Sequence, residues 1–354
     1  MKSLAVVRPG SLKEKNPDKR GLIEIVEKPE PTVGEHDVKI KVAYCSICGS
    51  DPHVAENIFG REVPYGMGHE ISGVIVEMGS GVNTKGLKVG DRVAGNFLRA
   101  CGRCYYCQNG QPQFCEHAID EGVSPGYAEY LVWDESQVWK IPDDVSLRSA
   151  CILEPISIAV RVTDRTELKV GERVCIQGGG PIGLLILQVM KMRGATSLTL
   201  IEPIASRREL AKQFGADYVI DPNAVNAVEE GVKITGGMGY DVVVEVSGFT
   251  PAADVPLKVA ANGAKVLYIA MYPPAFELPI NLYEYMYTKN LTLTATKVAP
   301  YCFPRAVQLL PRIDTAPFTE ISFPLVDAEK AFQEHLSGHH TKVLICCNED
   351  LADK

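Results

Sequence analysis

The sequence predicts an α/β protein in two parts, a β-rich first domain followed by a doubly wound parallel sheet of six strands. Three observations lead there. The 354 residues exceed what one hydrophobic core usually serves, since cores beyond roughly 250 to 300 residues tend to split. From about residue 38 to residue 140 the chain reads as short strands broken by Gly and Pro, whereas after Glu154 strands alternate with helix-length segments, the rhythm of parallel strands joined by crossover helices. Six such strands can be placed, the number a full doubly wound sheet requires.

In the first part the strands are expected at 38–44, 71–78, 91–95 and 127–133. In the second they fall at 173–177, 197–202, 218–220, 241–246, 265–270 and 291–296. Between them 182–193, 206–214 and 254–261 carry helical spacing of apolar residues. The tail holds two helices, 303–310 and 328–336, and a last strand, 342–346, expected to return to the first domain. The expected division is 1–152, 153–296 and a C-terminal segment 297–354. There is no internal repeat and no low-complexity tract.

Composition narrows the function. With 46% hydrophobic and 23% charged residues the chain can bury a substantial interior. A formal charge of -8 with no long Lys/Arg run argues against nucleic acid or an anionic membrane as partner, because both require a concentrated basic face. The apolar run at 4–7 is too short for a signal-peptide core and no segment approaches membrane-span length, so a cytoplasmic protein is expected. Eleven cysteines make an odd count in a long chain, and metal ligation in a reducing compartment fits better than a disulfide framework. Cys45, Cys151, Cys175, Cys302, Cys346 and Cys347 read as small buried hydrophobes.

The strand at 173–177 runs into Gly178-Gly-Gly180-Pro181-Ile182-Gly183, three glycines in G-x-G-x-x-G spacing at a strand-to-helix turn. Gly178 permits the tight turn, Gly180 lets a pyrophosphate approach the backbone, and Gly183 lets helix and strand pack closely. Pro181 suits the first helical turn, and with Ile182 it belongs to the expected phosphate subsite at the positive end of the helix. Glu202 ends the second strand, where an acid accepts bonds from the adenosine ribose and repels a 2′-phosphate, which favours NAD over NADP. Arg207 and Arg208 follow, and they are the residues that would receive a phosphate instead; Arg207 is the one placed at the cofactor.

Cys101, Cys104, Cys107 and Cys115 form C-x2-C-x2-C-x7-C, a spacing suited to a closed tetrahedral zinc site whose work is structural. An iron–sulfur cluster is the chemical alternative. A second, dispersed set comprises Cys48-Gly-Ser50-Asp51-Pro-His53, Gly68-His69-Glu70 and Leu153-Glu154-Pro155. Its weight lies in co-occurrence, since an open zinc site takes about three N, O or S ligands and leaves one position for water or substrate.

Taken in order, these motifs, with Gly-Asp-Arg-Val at 90–93 and Gly-Tyr-Ala-Glu-Tyr at 126–130, resemble the zinc-containing medium-chain dehydrogenases over nearly the whole chain, in particular the sorbitol, threonine and butanediol dehydrogenase branch. The resemblance implies a GroES-like β domain carrying two zincs, a Rossmann domain, catalysis in the cleft between them, and a homodimer or homotetramer. It implies that Cys48 and His69 bind the catalytic zinc with Glu70 or Glu154 as a further ligand, that Asp51 orients His69, and that Ser50 and His53 begin and end a proton relay through the nicotinamide ribose. The implied reaction is metal-assisted hydride transfer from a secondary alcohol to NAD. Primary-alcohol members tend to have cysteine where Glu154 stands, and Cys151 is a candidate substitute ligand three residues away. An arginine common in polyol enzymes after the sixth strand is replaced here by Lys297-Val-Ala-Pro300, and 11–20 reads as an extra surface loop. Two rivals stand beside this reading: a primary-alcohol or aldehyde-acting member of the same family, and a non-catalytic nucleotide-binding protein.

Overall fold

Alternating and continuous apolar runs lay down three sheets. The computed structural model describes residues 1–58, 60–83, 85–118 and 125–352. By its contacts the chain divides into one unit of Met1–Glu154 with Phe303–Lys354 and a second of Pro155–Cys302.

The first unit is built on a seven-stranded sheet in the order Ser322–Pro324, Leu344–Cys346, Asp37–Ser46, Glu70–Met78, Arg92–Gly95 and Val138–Lys140, with Tyr130–Asp134 also paired to Asp37–Ser46. Val38, Ile40 and Val42 point from the central strand into a core with Ile71, Ile75 and Trp133, all essentially without solvent exposure; each such side chain contributes about 1.5–3 kcal/mol by leaving water. Register then places chemistry. Ser46 lies opposite both Glu70 and Leu344 across antiparallel pairs, so three distant stretches meet at one end of the strand.

A smaller sheet of Leu22–Glu27, Lys2–Arg8 and Tyr65–Gly66 joins this unit. These strands are absent from the sequence reading, because Leu4–Val7 is a continuous apolar run with no alternation to mark its period. The segment 11–20 is turn-rich and largely exposed, as expected, and is pinned by Arg8, whose guanidinium donates to the carbonyls of Pro17 and Arg20.

In the second unit all neighbouring strands are parallel, in the order Tyr218–Ile220, Ser197–Ile201, Arg173–Gln177, Tyr240–Glu245, Ala260–Tyr268 and Thr292–Ala295. This is the doubly wound order that reverses beside the first strand. Val174, Cys175, Ile176, Val243 and Val244 are fully buried, which is why these strands read as unbroken apolar runs.

One expected helix is shortened at its C-terminal end. Within 254–261 only Val255–Val259 is helical, and Ala260 already opens the next strand by pairing with Tyr240. The apolar run fits both periods, and pairing with a waiting strand edge decides it. Among the α-helices of eight residues or more, two are not foreseen by the sequence. Leu153–Thr166 carries Pro155 in its first turn and so reads as a boundary. Ala227–Ile234 is short and rests on Asn226, whose side chain accepts the N–H groups of Val228 and Glu229. Among the described residues no helix is long and apolar enough to cross a membrane.

Candidate metal centre and cofactor turn

Cys48 leaves the end of the Asp37–Ser46 strand and His69 precedes the Glu70–Met78 strand. One ligand atom each from Cys48, His69 and Glu70 lie within 4.8 Å of one another. Asp51, fully buried, starts the short helix Asp51–Ala55. Its Oδ2 accepts the Cys48 N–H at 2.8 Å and the Tyr127 hydroxyl at 2.5 Å. Its Oδ1 stands 3.7 Å from His69 Nδ1 and has no hydrogen-bond partner of its own. The imidazole is therefore held with one nitrogen toward a carboxylate, the arrangement that leaves the other for a metal. Phe97 packs on the ring with centroids 4.9 Å apart.

The electrostatics call for a cation. Burial alone lowers the pKa of His69, but Cys48, Asp51 and Glu154 overcome it and raise the pKa well above the usual value. Burial raises the Glu154 carboxyl to about 7, with His69 opposing and Glu70 adding to the shift. A divalent ion held by Cys48, His69 and Glu70 would supply the positive charge these groups otherwise draw onto the imidazole.

Glu154 is buried but lies outside the 4.8 Å group. Glu70 is inside it, with Oε2 held by the Lys342 ammonium at 2.6 Å and by the Ser46 hydroxyl. Lys342, also buried, donates to the Ile47 carbonyl at 2.9 Å. Cys151 is not in the group; its thiol donates to the Arg148 carbonyl at 3.1 Å, and burial pushes its pKa to about 12. Ser50 is half-buried at the helix start and its hydroxyl makes no capping bond, while His53, half-exposed, faces Glu56 at 3.6 Å. No hydrogen bond joins Ser50 to His53 among the described residues.

The four loop cysteines gather as the spacing predicts, all sulfurs within 4.8 Å, with Cys104 and Cys115 3.9 Å apart. Tetrahedral zinc–sulfur bonds of about 2.3 Å place sulfurs ~3.8 Å apart, so the cage has the size of that ion. Backbone N–H groups of Arg103 and Cys104 point at the Cys101 sulfur, and that of Cys101 at Cys115. The Cys107 N–H is the main cause lowering Cys104 to about 6, while burial sends Cys107 up to about 12; four thiols so close do not all ionise without a metal. The other six cysteines are buried.

In the second unit, Arg173–Gln177 turns at Gly178, φ 108°, and enters the helix Pro181–Arg193 through Gly180. A Cβ at Gly183 would meet the Gly178 carbonyl oxygen at 2.0 Å, whereas one at Gly180 would meet nothing within 4 Å. The turn is closed where packing demands it and open where a phosphate would approach. Glu202 is buried, its Oε2 accepting the Gly179 N–H at 2.6 Å and its Oε1 the Ile204 N–H at 2.8 Å. A side chain at Gly179 would collide with Glu202, a requirement the glycine spacing does not show. Ile182 lies in the first helical turn and Arg207 follows in the helix Ala205–Gln213.

Residues 34–143 match the alcohol dehydrogenase GroES-like domain and residues 181–312 the zinc-binding dehydrogenase domain. A sorbitol dehydrogenase of Halalkalibacterium halodurans is 33% identical, covering 92% of this chain and 96% of its own. The chain belongs to the zinc-binding alcohol dehydrogenases. An L-threonine 3-dehydrogenase of Pyrococcus abyssi is 38% identical over 73% of this chain and 75% of its own. The crystal structure of a zinc-binding dehydrogenase from Clostridium scindens superposes with a TM-score of 0.90 at 30% identity, covering 98% and 99% of the two chains. Within the zinc-binding alcohol dehydrogenases this is the sorbitol and threonine dehydrogenase-like branch, with GroES-like and Rossmann-like folds and a zinc-dependent activity on alcohols or polyols.

Proposed function

We propose that this enzyme interconverts a secondary alcohol or polyol and its ketone with NAD as hydride acceptor, using one catalytic and one structural zinc per chain. The observation that carries the reading is the meeting of Cys48, His69 and Glu70, from separate stretches, within 4.8 Å, with the buried carboxyl of Glu154 electrostatically coupled to them. Zinc held by these residues would supply Lewis-acid polarisation of the substrate oxygen, and NAD bound at the glycine turn would supply the hydride acceptor.

The chain's own residues do the positioning and the proton work. Asp51 fixes the ring of His69, and Cys101, Cys104, Cys107 and Cys115 hold the second metal in a closed cage with no position left for substrate. Glu70 and Glu154 are the two carboxylates available as further ligands, Glu70 already neutralised by Lys342. Ser50, unengaged as a cap, and His53 are the two ends of the relay: Ser50 would accept the substrate proton as its own hydroxyl proton passes by way of the nicotinamide ribose to His53, which would release it to solvent. Gly178, Gly180, Pro181, Ile182 and Gly183 form the pyrophosphate cradle; Glu202 and Arg207 stand at the adenosine side. The secondary hydroxyl is supported by two relatives named for sorbitol and for the 3-position of threonine.

The test is a panel of paired primary and secondary alcohols, polyols included, with NAD and NADP, read by nicotinamide absorbance before and after metal chelation. Turnover of the secondary member with NAD, lost on chelation and restored by zinc, is the expected result. Preference for the primary alcohols overturns the substrate class, and higher efficiency with NADP overturns the role of Glu202.

A further inference from the structure

Arg208 lies in the helix Ala205–Gln213, six positions beyond Glu202. Its Nη1 donates to the main-chain carbonyl of Glu202 at 2.7 Å, and its Nη2 meets Asp221 Oδ2 at 2.8 Å. The guanidinium is thus laid across the end of the Ser197–Ile201 strand, against the residue that marks the ribose subsite. The pair is well sheltered, with side chains 16% and 28% exposed. Asp221 is fixed in turn. It follows Tyr218–Ile220, whose register pairs Ile220 with Ile201, and its Oδ1 accepts the Asn223 N–H at 2.9 Å.

A 2′-phosphate at the ribose needs a cation, and a guanidinium is the group best shaped to take it. Arg208 has the right chemistry beside the right residue, yet its charge is already engaged by a carboxylate. We propose that Asp221 is a positioning residue for dinucleotide choice: by clamping Arg208 against the Glu202 carbonyl it withholds one of the two neighbouring arginines that could take the 2′-phosphate of NADP. Discrimination then rests on two carboxylates, one that meets the ribose and one that disarms an arginine. The inference depends on the reading of Glu202 and the glycine turn as the dinucleotide site.

The test is equilibrium binding of NAD and of NADP to the zinc-replete protein without alcohol, by calorimetry. Asp221→Asn keeps an oxygen for the Asn223 N–H while removing the charge and presenting a donor to Arg208; Asp221→Ser serves the same purpose if the first variant melts early. Freed of its partner, Arg208 should tighten NADP binding about tenfold or more, the scale of one charge-assisted contact, with NAD held within about twofold. Adding Arg208→Gln to Asp221→Asn should return NADP to the wild-type level. The clamp is overturned by unchanged NADP affinity in Asp221→Asn, by both dinucleotides shifting together, or by a gain that survives the loss of Arg208. Failure of the underlying reading is distinct, because it shows in the wild type as tighter binding of NADP than of NAD.

Discussion

Asp51 and Lys342 are both buried charges beside the metal centre, and they do different work. Asp51 faces a ligand ring, whereas Lys342 neutralises Glu70 from a stretch 272 positions away. Lys342→Met leaves the Glu70 carboxylate buried with the Ser46 hydroxyl as its remaining side-chain partner among the described residues, and breaking a buried pair in this way costs about 3–5 kcal/mol. Chemical denaturation should show that loss; an unchanged midpoint would mean that Glu70 does not depend on the lysine. For Ser50→Ala, zinc content and dinucleotide binding should persist while turnover falls about 10²- to 10⁴-fold, the scale of a lost proton-transfer group. Unchanged turnover removes Ser50 from the relay. Cys48, His69 and Glu70 were singled out by their co-occurrence along the chain, and Asp51 by what the family resemblance implies. Lys342, Phe97 and Tyr127 were not, since a lysine before a strand or an aromatic in a strand reads as surface or core until its neighbours are known.

At the scale of elements, an ion pair at the strand starts of the second unit and the cysteine cage of the first each carry a prediction. Arg173 and Asp241 join the starts of two adjacent parallel strands, through Nε–Oδ2 and Nη2–Oδ1 contacts of 2.8 Å and the Arg173 N–H at 2.9 Å. The bond to Arg173 holds the Asp241 carboxyl below its usual range. A depressed carboxyl stabilises the fold above its unfolded value near 3.9 and loses that contribution as pH falls through the folded value. Asp241→Asn should therefore unfold at about 2 kcal/mol lower cost at neutral pH, with the gap from wild type closing under acid; a gap independent of pH would show that the ion pair is not its source. The cysteine cage predicts a different signature. Cys104→Ser should lose about one zinc per chain and open the 101–115 loop to proteolysis, while calorimetry still detects dinucleotide binding. Retention of both metals would place the second zinc elsewhere. The four-cysteine spacing was readable because its ligands are local. The two longer helices not foreseen, Leu153–Thr166 and Ala227–Ile234, lack local signals of comparable strength.

For the whole molecule, exposed apolar surface is the remaining feature. Leu282, Tyr283 and Tyr287 are each more than two-thirds exposed, with the two tyrosines stacked 5.6 Å apart. Surface of this kind supports self-association, and the protein should elute as a dimer or larger. Replacing both tyrosines by serine should shift it toward the monomer; a monomeric wild type would rule the assembly out.

The sequence by itself determined the α/β class, the six-strand sheet and the gathering of the four loop cysteines, because periodicity, glycine spacing and thiol spacing act over a few residues and survive without the fold. Only the tertiary structure decided which carboxylate stands inside the ligand group, that Lys342 reaches Glu70, and that Asp221 claims Arg208. Those outcomes depend on strand register across large sequence separations. A one-residue slip would turn each side chain to the opposite face, and no local pattern carries that information.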